Sequence, residues 1–292
     1  MSAVDDLLRA EIEPLQYGIF FGLLVTLAII EVFVFRSPNP PQRKLRWPAN
    51  VGLTILNIIV IGALPVSGLL VSDYAQVNDI GLLNIFEVAP LTALVIGLLF
   101  RSFISWLIHL AMHKVPLLWH VHRVHHTDTY IDISTTVRFH PIEFLINTPI
   151  LMVSILLVGI SPLTLMLYEL FDTAMAIFTH ANVRIPKRLE RFIRFVLVTP
   201  DMHRVHHSTW QPETDSNYGA TLSVWDHLFR TYRDKSPDAL SKMQLGLTEF
   251  QDDRSRSLWW LLTLPFQSER ASLGAHTILQ DSQPTPEKGN DK

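Results

Sequence analysis

Cysteine is absent from this chain of 292 residues. Its absence excludes iron–sulfur clusters, thiolate zinc sites and disulfide bonds, and it leaves the neutral imidazole nitrogen of histidine as the main metal donor. The redox compartment stays open, because a chain without thiols is compatible with a site that faces the cytosol.

Charge is scarce as well. Only 17% of the residues are charged, the formal net charge is -3, and no basic stripe is present, so we expect no nucleic-acid partner. Glycine-rich phosphate or dinucleotide loops are also missing. We therefore expect no flavin or nicotinamide to be bound by this chain. The acidic N-terminus lacks a basic region before an apolar run, and we expect no cleavable signal peptide.

Apolar residues are abundant and lie in long runs. Hydrophobic residues make up 48% of the chain, and the mean hydropathy is +0.24. The runs 17–35, 49–71 and 82–100 carry at most one charge each, and each matches the roughly 20 residues that cross a bilayer core. They predict three transmembrane helices. They disfavour a large soluble helical protein, since a soluble core has little room for several uncharged runs.

A fourth uncharged stretch, 144–168, is interrupted by Pro149 and by a turn signal at residues 159–162. It predicts two helices of about 17 residues that enter the membrane and return near His180, either as short tilted crossings or as a re-entrant hairpin. Both alternatives bring His180 back to the side from which the hairpin starts.

Lysine and arginine near the ends of the runs predict the orientation. Arg36, Arg43, Lys44 and Arg46 lie between the first and second runs, whereas residues 72–81 hold two aspartates and no cation. The arginine-rich side is therefore expected to be cytoplasmic.

The third span is expected to emerge on that same side at Arg101. No proline or glycine lies between Leu98 and Lys114, which favours one helix from Leu82 to Lys114, about 50 Å long, that projects beyond the lipid.

Histidines form the most informative pattern. The five-residue pattern HxxHH begins at His122 and again at His203, and His109 and His113 stand just upstream of the first. On a helix, positions i, i+3 and i+4 lie on one face, within reach of a common centre. Eight rings exceed the four ligands of a tetrahedral ion or the six of an octahedral one, so a two-metal centre is predicted. Imidazole suits iron, zinc, copper and nickel, and the ligands alone do not name the metal.

The order of these motifs resembles the fatty acid hydroxylase/sterol desaturase superfamily of membrane di-iron enzymes, over about residues 95 to 235. The phrases that carry the resemblance are HLAMH at 109–113, LWHVHRVHH at 118–126, VRFHP at 137–141, FTHANV at 178–183, TPDMHRVHH at 199–207, NYG at 217–219 and WDHLFRTY at 225–232.

The resemblance implies two iron ions with O2 as co-substrate, and hydroxylation, desaturation or cleavage at an unactivated position of a lipid. Electrons would come from an external reductase or small electron carrier. Zinc is redox-silent and would not support this chemistry, although the protein as purified could contain it. The implied ligands, which are also the implied catalytic residues, are His109, His113, His122, His125, His126, His180, His203, His206 and His207.

Two positions depart from the family pattern. Leu110 replaces a frequent arginine of the first histidine motif, and Arg230 replaces a frequent glycine in the closing phrase. The ligand set is retained, but substrate contacts and the groups that support the ligands are placed in doubt.

Two other functions are alternatives to this one. A membrane di-zinc hydrolase would use the metals to activate water. A histidine-lined metal transporter would need ionisable ligands at mid-membrane depth, and the runs 49–71 and 144–168 contain no histidine, aspartate or glutamate.

The remaining histidines have weaker signals. His120 is expected at a surface or interface. His140 is expected either to support the site or to contact the start of a helix. His227 is equally consistent with a structural role, and His276 lies in a polar tail. Candidates to hold the ligating imidazoles are Asp128, Asp172, Asn182, Asp201 and Asp226.

The predicted fold is all-α, a polytopic membrane helical bundle with a cytoplasmic histidine-rich catalytic cap. We divide the chain into membrane helices at 1–94, a catalytic region at 95–235, a C-terminal segment at 236–279 and a disordered tail at 280–292. Within the third, the Trp- and Arg-containing stretch 254–266 is expected either to lie in the headgroup region or to pack in the core. The sequence does not name the lipid.

Overall fold

The computed structural model describes residues 3–33, 43–86 and 88–267. Among these residues there is no β-strand, only two isolated bridges, and the all-α prediction is confirmed. The helices of the bundle are α1 (Ala3–Phe33), α2 (Arg43–Gly62), α3 (Gly68–Val77), α4 (Leu82–Ile85), α5 (Pro90–Lys114), α6 (Pro116–His126), α7 (Pro141–Val158) and α8 (Pro162–His180). Shorter helices follow in the cap, namely α9 (Lys187–Ile193), α10 (Pro200–His206), α11 (Gln211–Thr214), α12 (Val224–Leu228), α13 (Pro237–Lys242) and α14 (Leu258–Thr263). Single 3-10 turns lie at Ile133–Val137, Thr248–Phe250, Asp253–Arg256 and Leu264–Phe266.

Four of the described helices are long and apolar enough to cross a membrane, at Pro14–Phe33, Arg43–Gly62, Pro90–Lys114 and Pro141–Val158. Their outward faces are lined by large exposed hydrophobic side chains such as Phe21, Ile59 and Val153. Apolar side chains left exposed in this way are stable only against lipid or another protein. The predicted helical membrane bundle is therefore confirmed.

The second predicted span has different ends. Residues 49–71 do not form one helix, because α2 begins at Arg43 and ends at Gly62. Pro65 follows, and α3 starts anew with Ser67 as its N-cap, whose side chain accepts a hydrogen bond from the backbone N–H of Leu70. Hydropathy alone does not register this break, since the intervening residues are also apolar.

The continuous helix predicted from Leu82 to Lys114 is wrong. α4 is a single short turn, and α5 begins at Pro90, whose ring favours the first position of a helix. With 25 residues, α5 is about 37 Å long. Arg101 is therefore buried in the middle of α5 and does not mark the exit of the span.

The predicted hairpin is present. α7 and α8 are joined by Gly159 in the left-handed conformation (φ 77°), and Ser161 caps α8. Gly81 (φ 99°) lies against this turn so closely that a Cβ there would be 2.2 Å from the backbone nitrogen of Gly159. α8, which carries Glu169 and Asp172, is not among the four candidate spans of the described chain. The choice between a crossing and a re-entrant hairpin stays open.

The ends of α1 and α2 hold the loop that follows α6. One carboxylate oxygen of Glu31 accepts hydrogen bonds from the backbone N–H of Asn182 (2.7 Å) and of Ile133 (3.1 Å). The Arg46 guanidinium forms ion pairs with Asp128 (2.6 Å) and Asp132 (2.9 Å). These buried contacts fix the cap to one end of the bundle.

The C-terminal stretch packs mainly in the core. Leu261 and Leu264 are fully buried against Leu53 of α2 and Val124 of α6, whereas the Trp259 side chain is exposed. Of the two predicted locations, the headgroup region and the protein core, the buried face of this stretch lies in the core. Arg36, His276 and the tail 280–292, predicted to be disordered, lie outside the described residues.

Candidate metal centre

Four helices bring nine histidines to one end of the bundle. His109 and His113 lie one turn apart near the end of α5, and His180 is the last residue of α8. The two HxxHH motifs lie on α6 and at the end of α10. Pro116 starts α6 directly after Val115, so the chain turns and α6 packs against the last turns of α5. All nine sequence-predicted histidines are brought together.

The nine rings form two groups. Within each group, the nearest ligating atoms all lie within 4.8 Å of one another. The larger group is His109, His113, His122, His126 and His206, and the smaller is His125, His180, His203 and His207.

Each HxxHH motif contributes to both groups. On α6, the pair at i and i+4, His122 and His126, enters the larger group, and the i+3 residue, His125, enters the smaller. On α10 the assignment is reversed, because His203 and His207 enter the smaller group and His206 the larger. The two motifs therefore interlock, and neither group is complete without both helices.

The ring nitrogens converge within each group. His109 Nε2 lies 3.1 Å from His122 Nε2, and His180 Nε2 lies 3.2 Å from His125 Nε2 and 2.9 Å from His203 Nε2. Neutral imidazoles have only one N–H each, so this many nitrogens facing one another are not satisfied by hydrogen bonds alone. Lone pairs that converge in this way suit a cation.

The opposite nitrogens of several rings are held by oxygen acceptors. Nδ1 of His122 lies 2.9 Å from a carboxylate oxygen of Glu143. Backbone carbonyls accept from the other three rings: Tyr218 from His109, Ala176 from His180 and Ser216 from His206, each at 2.7 Å from Nδ1. An Nδ1–H that donates to oxygen leaves the Nε2 lone pair directed into the group, which is the usual arrangement around a protein metal.

Other ring nitrogens are buried without any hydrogen-bond partner in the described structure. They include both nitrogens of His113 and of His126, and Nε2 of His206. A buried polar atom without a partner costs about 1–3 kcal/mol. A metal in the larger group would satisfy one nitrogen of each of these three rings, and the converging Nε2 atoms of the smaller group suit a second ion, so the residues present fit two ions.

Burial keeps the cap histidines neutral. Desolvation, reinforced by repulsion from neighbouring histidines, lowers the pKa of His125, His126, His203 and His207 well below its usual value. Desolvation also lowers the pKa of His206 to about 3, against the raising effect of its bond to Ser216. Neutral imidazole is the form that binds metal.

Two carboxylates that the sequence analysis missed lie beside the rings. Glu143 holds His122, and Asp215 forms an ion pair with Lys114 (2.9 Å) and lies 3.6 Å from Nδ1 of His113. Glu143 had a sequence signal, since it is the one acid at the start of the uncharged run that becomes α7. Asp215 lies in a polar loop and had none.

Of the predicted supporting residues, Asp226 has the clearest role. Its carboxylate accepts hydrogen bonds from Trp106 Nε1 (3.0 Å) and from the backbone N–H groups of Tyr218 (2.9 Å) and Gly219 (2.8 Å). It thereby fixes the loop whose Tyr218 carbonyl holds His109.

The other four predicted supports have different contacts. Asp128 pairs with Arg46, and Asn182 accepts a hydrogen bond from Arg204. Asp172 lines a cavity below the histidines, and Asp201 lines a surface cleft together with His227.

The remaining described histidines lie outside the two groups. His140 caps α7, with Nδ1 accepting from the Ile142 N–H, so it contacts the start of a helix as one alternative predicted. His120 lies 3.2 Å from the Pro265 carbonyl. His227 lies on the surface near the Arg194 carbonyl.

A cavity of about 250 Å3 opens directly below the histidines, between α5, α7 and α8. Its upper wall contains rings of both groups, and its lower wall contains Arg101, Tyr168 and Asp172. Phe139, which stacks on the ring of His125 with centroids 4.4 Å apart, lines both this cavity and a second one of about 340 Å3 between α1, α2 and α8. The second cavity is lined mainly by apolar side chains such as Phe20 and Ile58.

Comparisons with known proteins agree with this site. The fatty acid hydroxylase family profile matches residues 94–231. The ornithine lipid hydroxylase OlsE of Rhizobium tropici is 31% identical over 155 residues, which cover 53% of this chain and 45% of that protein. The alkylglycerol monooxygenase of Homo sapiens is 28% identical over 142 residues, covering 48% and 29%. The very-long-chain aldehyde decarbonylase GL1-11 of Oryza sativa subsp. indica is 26% identical over 224 residues, covering 75% and 84%.

The chain spans less than half the length of the first two of these relatives. No solved structure matches it significantly. The matched region contains all nine clustered histidines. The family match over residues 94–231 and these relatives support the resemblance to the fatty acid hydroxylase/sterol desaturase superfamily that the histidine motifs predicted.

Proposed function

We propose that this protein is an O2-dependent di-iron membrane oxidoreductase that hydroxylates or desaturates a C–H position of a lipid. The observation that carries the proposal is the pair of interlocked, buried histidine groups at the end of a membrane bundle. The nine histidines would be the metal ligands, five in one group and four in the other.

The proposed reaction, rather than the donor set, favours iron over zinc. Breaking an unactivated aliphatic C–H bond needs a redox-active metal, which zinc is not. Two irons bound in the groups would supply the oxidant derived from O2. Groups of five and four histidines fall short of the six ligands of an octahedral ion, which leaves room for other ligands.

The protein's own residues would orient and protect this centre. Glu143 and the carbonyls of Tyr218, Ala176 and Ser216 hold the rings in one tautomer. Eight of the nine clustered histidines are buried and His109 is partly buried, which limits the access of bulk water to the reacting centre.

A lipid substrate is supported by the cavities and by the relatives. The cavity below the histidines shares Phe139 and Phe144 with the apolar cavity between α1 and α2. An alkyl chain could pass from the hydrocarbon layer to the metals by this route. Relatives are named as an ornithine lipid hydroxylase and as alkylglycerol monooxygenases, whose substrates are lipids.

We further propose that the metal centre faces the cytoplasm. Arg43, Lys44 and Arg46 begin α2 at the end of the bundle that carries the histidines. The cap adds four exposed cations around α9, at Arg184, Lys187, Arg188 and Arg191. Cations concentrated beside membrane helices favour the cytoplasmic side. An external reductase or small electron carrier would deliver electrons there.

The test compares purified wild-type protein with His206→Ala and with a control, His227→Ala, which lies outside both groups. Metal content is measured, and lipid extracts from cells that express each protein are compared by mass spectrometry. We expect about two irons in the wild type and lipids that have gained one oxygen or lost two hydrogens. His206→Ala should lose these products, and His227→Ala should keep them.

Two results would contradict the proposal. One is stoichiometric zinc together with no activity after reconstitution with iron, O2 and a reductant. The other is turnover under strict anaerobiosis, which would identify a di-zinc hydrolase instead.

A further inference from the structure

Arg101 is a buried cation inside the bundle. It lies in the middle of α5, and 6% of its surface is exposed. Its guanidinium lies over the ring of Tyr168, 4.8 Å from the centroid. Its Nε and Nη1 atoms are buried and donate no hydrogen bond to any described residue. A charge at this depth is costly and usually marks a functional site.

Two carboxylates on α8, Glu169 and Asp172, balance this charge without using its donors. Both interact electrostatically with Arg101. Within the described part of the chain, however, neither forms an ion pair with it. Glu169 instead accepts a hydrogen bond from Gln16 (3.2 Å), and Asp172 accepts one from Tyr168 (3.3 Å). The surroundings of Arg101 therefore combine free N–H donors with a compensated charge.

Arg101 lines the same cavity as the clustered histidines. The cavity of about 250 Å3 is bounded by Arg101 and Asp172 at one end and by His109, His125 and His203 at the other. Arg101 and His109 are eight residues apart on α5, which corresponds to about 12 Å along the helix axis. A molecule that fills the cavity would reach both.

We propose that Arg101 binds an uncharged oxygen acceptor of the substrate, the carbonyl oxygen of an ester- or amide-linked acyl lipid, and so sets which carbon lies at the metal centre. The inference rests on the proposed function and deepens it by naming the substrate class. A carbonyl oxygen is an uncharged acceptor, so it can take a hydrogen bond from the unused Nε–H or from Nη1 without adding charge to the cavity. A phosphate or free carboxylate would instead bring a second negative charge next to Asp172.

The separation of Arg101 from the histidines has a consequence for the product. Because Arg101 and His109 are about 12 Å apart along the axis of α5, a carbonyl held at Arg101 places the oxidised carbon several bonds away along the chain. Oxidation next to the carbonyl carbon is not expected.

The experiment measures equilibrium binding to the iron-loaded protein in lipid nanodiscs. The probes have equal chain length and differ only in the linkage, as an acyl ester, an acyl amide, an alkyl ether and a free fatty acid. The proteins are wild type, Arg101→Gln, the charge-balanced double variant Arg101→Gln/Asp172→Asn, and the exposed control Arg188→Gln. Iron content is measured for each protein, because a variant can lose probe binding without losing its iron.

Wild type and Arg188→Gln should bind the ester and the amide about tenfold more tightly than the ether, as expected for a hydrogen bond to a charged donor. Both Arg101 variants should lose that preference while keeping the affinity for the ether and the iron content. The double variant tests the loss of preference without leaving the negative charge of Asp172 unpaired.

Equal affinity of wild type for ester and ether would overturn the proposal, as would tighter binding of the free acid than of the ester. Retention of the preference by the folded double variant would also overturn it. A wild type that holds no iron would instead count against the proposed function, and binding of the probes to the metal-free protein would then still test Arg101.

Discussion

Nδ1 of His122 on α6 lies 2.9 Å from a carboxylate oxygen of Glu143 at the start of α7. Both side chains are buried, and Nε2 on the other side of the same ring faces His109. A residue at the start of a membrane helix therefore sets the orientation and tautomer of a ring in the candidate metal centre.

Glu143→Gln should weaken metal binding without unfolding the protein. Gln keeps the shape but loses the charge that favours the Nδ1–H tautomer of His122. We expect metal affinity to fall about 10- to 100-fold, as for other groups that hold a metal-ligating histidine. The measurement is a competitive chelator titration followed by metal analysis. Asp253→Asn, which changes an exposed carboxylate in a surface pair with Arg256, is the control. Unchanged affinity in Glu143→Gln would show that this hydrogen bond does not tune the site.

Asp128→Asn should destabilise the fold. Burial raises the pKa of Asp128, but the charges of Arg46 and Arg138 and the hydrogen bonds that it accepts outweigh burial and bring the pKa to about 2. Asn leaves the buried Arg46 with a weaker partner, and we expect a loss of about 3 kcal/mol in the free energy of unfolding. Thermal unfolding in detergent measures the effect. The exposed change Asp253→Asn should cost less than about 1 kcal/mol, and equal effects of the two changes would be inconsistent with this account.

Acid should destabilise the metal-free protein below about pH 6.5. Burial lowers the pKa of His203 and His207 well below the usual value, and that of His206 to about 3. In the unfolded chain the same side chains titrate near pH 6.5. Between about pH 6.5 and pH 3 the unfolded state thus binds more protons, and stability falls as the pH falls. The unfolding midpoint should be level above about pH 7 and decrease steadily below about pH 6.5. A midpoint that rises on acidification would refute the assignment.

Gly81→Ala should damage the hairpin end of the bundle. Gly81 has φ 99°, and a Cβ there would lie 2.2 Å from the backbone nitrogen of Gly159. Backbone strain and the clash should together cost about 2 to 3 kcal/mol. Gly62→Ala is the matched control, since nothing lies within 4 Å of its added Cβ. Because Gly81 is at the end of the bundle opposite the histidines, the folded fraction of Gly81→Ala should keep its metal. Loss of metal from the folded fraction of Gly81→Ala would contradict this separation of the hairpin end from the metal centre.

Local signals predicted much of the fold. The turn at residues 159–162 and the return of the chain to His180 followed from an uncharged run interrupted by turn residues. The C-terminal end of α2 and the start of α5 were not predicted, because Pro65 and Pro90 lie between apolar residues and hydropathy averages over them. The middle position of Arg101 in α5 followed only from the observed start of that helix.

The candidate site shows the same division. Histidine spacing indicated which rings share a face of α6 and of α10, since that depends only on helix periodicity. The assignment of His125 and His206 to opposite groups depends on how the two helices pack against each other. Glu143 and Asp215 were missed for the same reason, because their partners lie on other helices.

The sequence by itself determined the chemistry available to this protein, a membrane chain without thiols whose two HxxHH motifs supply more imidazoles than one metal takes. Local patterns suffice for this, because composition and helix periodicity act over a few residues. Only the tertiary structure decided that the motifs interlock into groups of five and four, and that Arg101 shares their cavity. Those relationships arise from the packing of α5, α6, α8 and α10, which no single segment encodes.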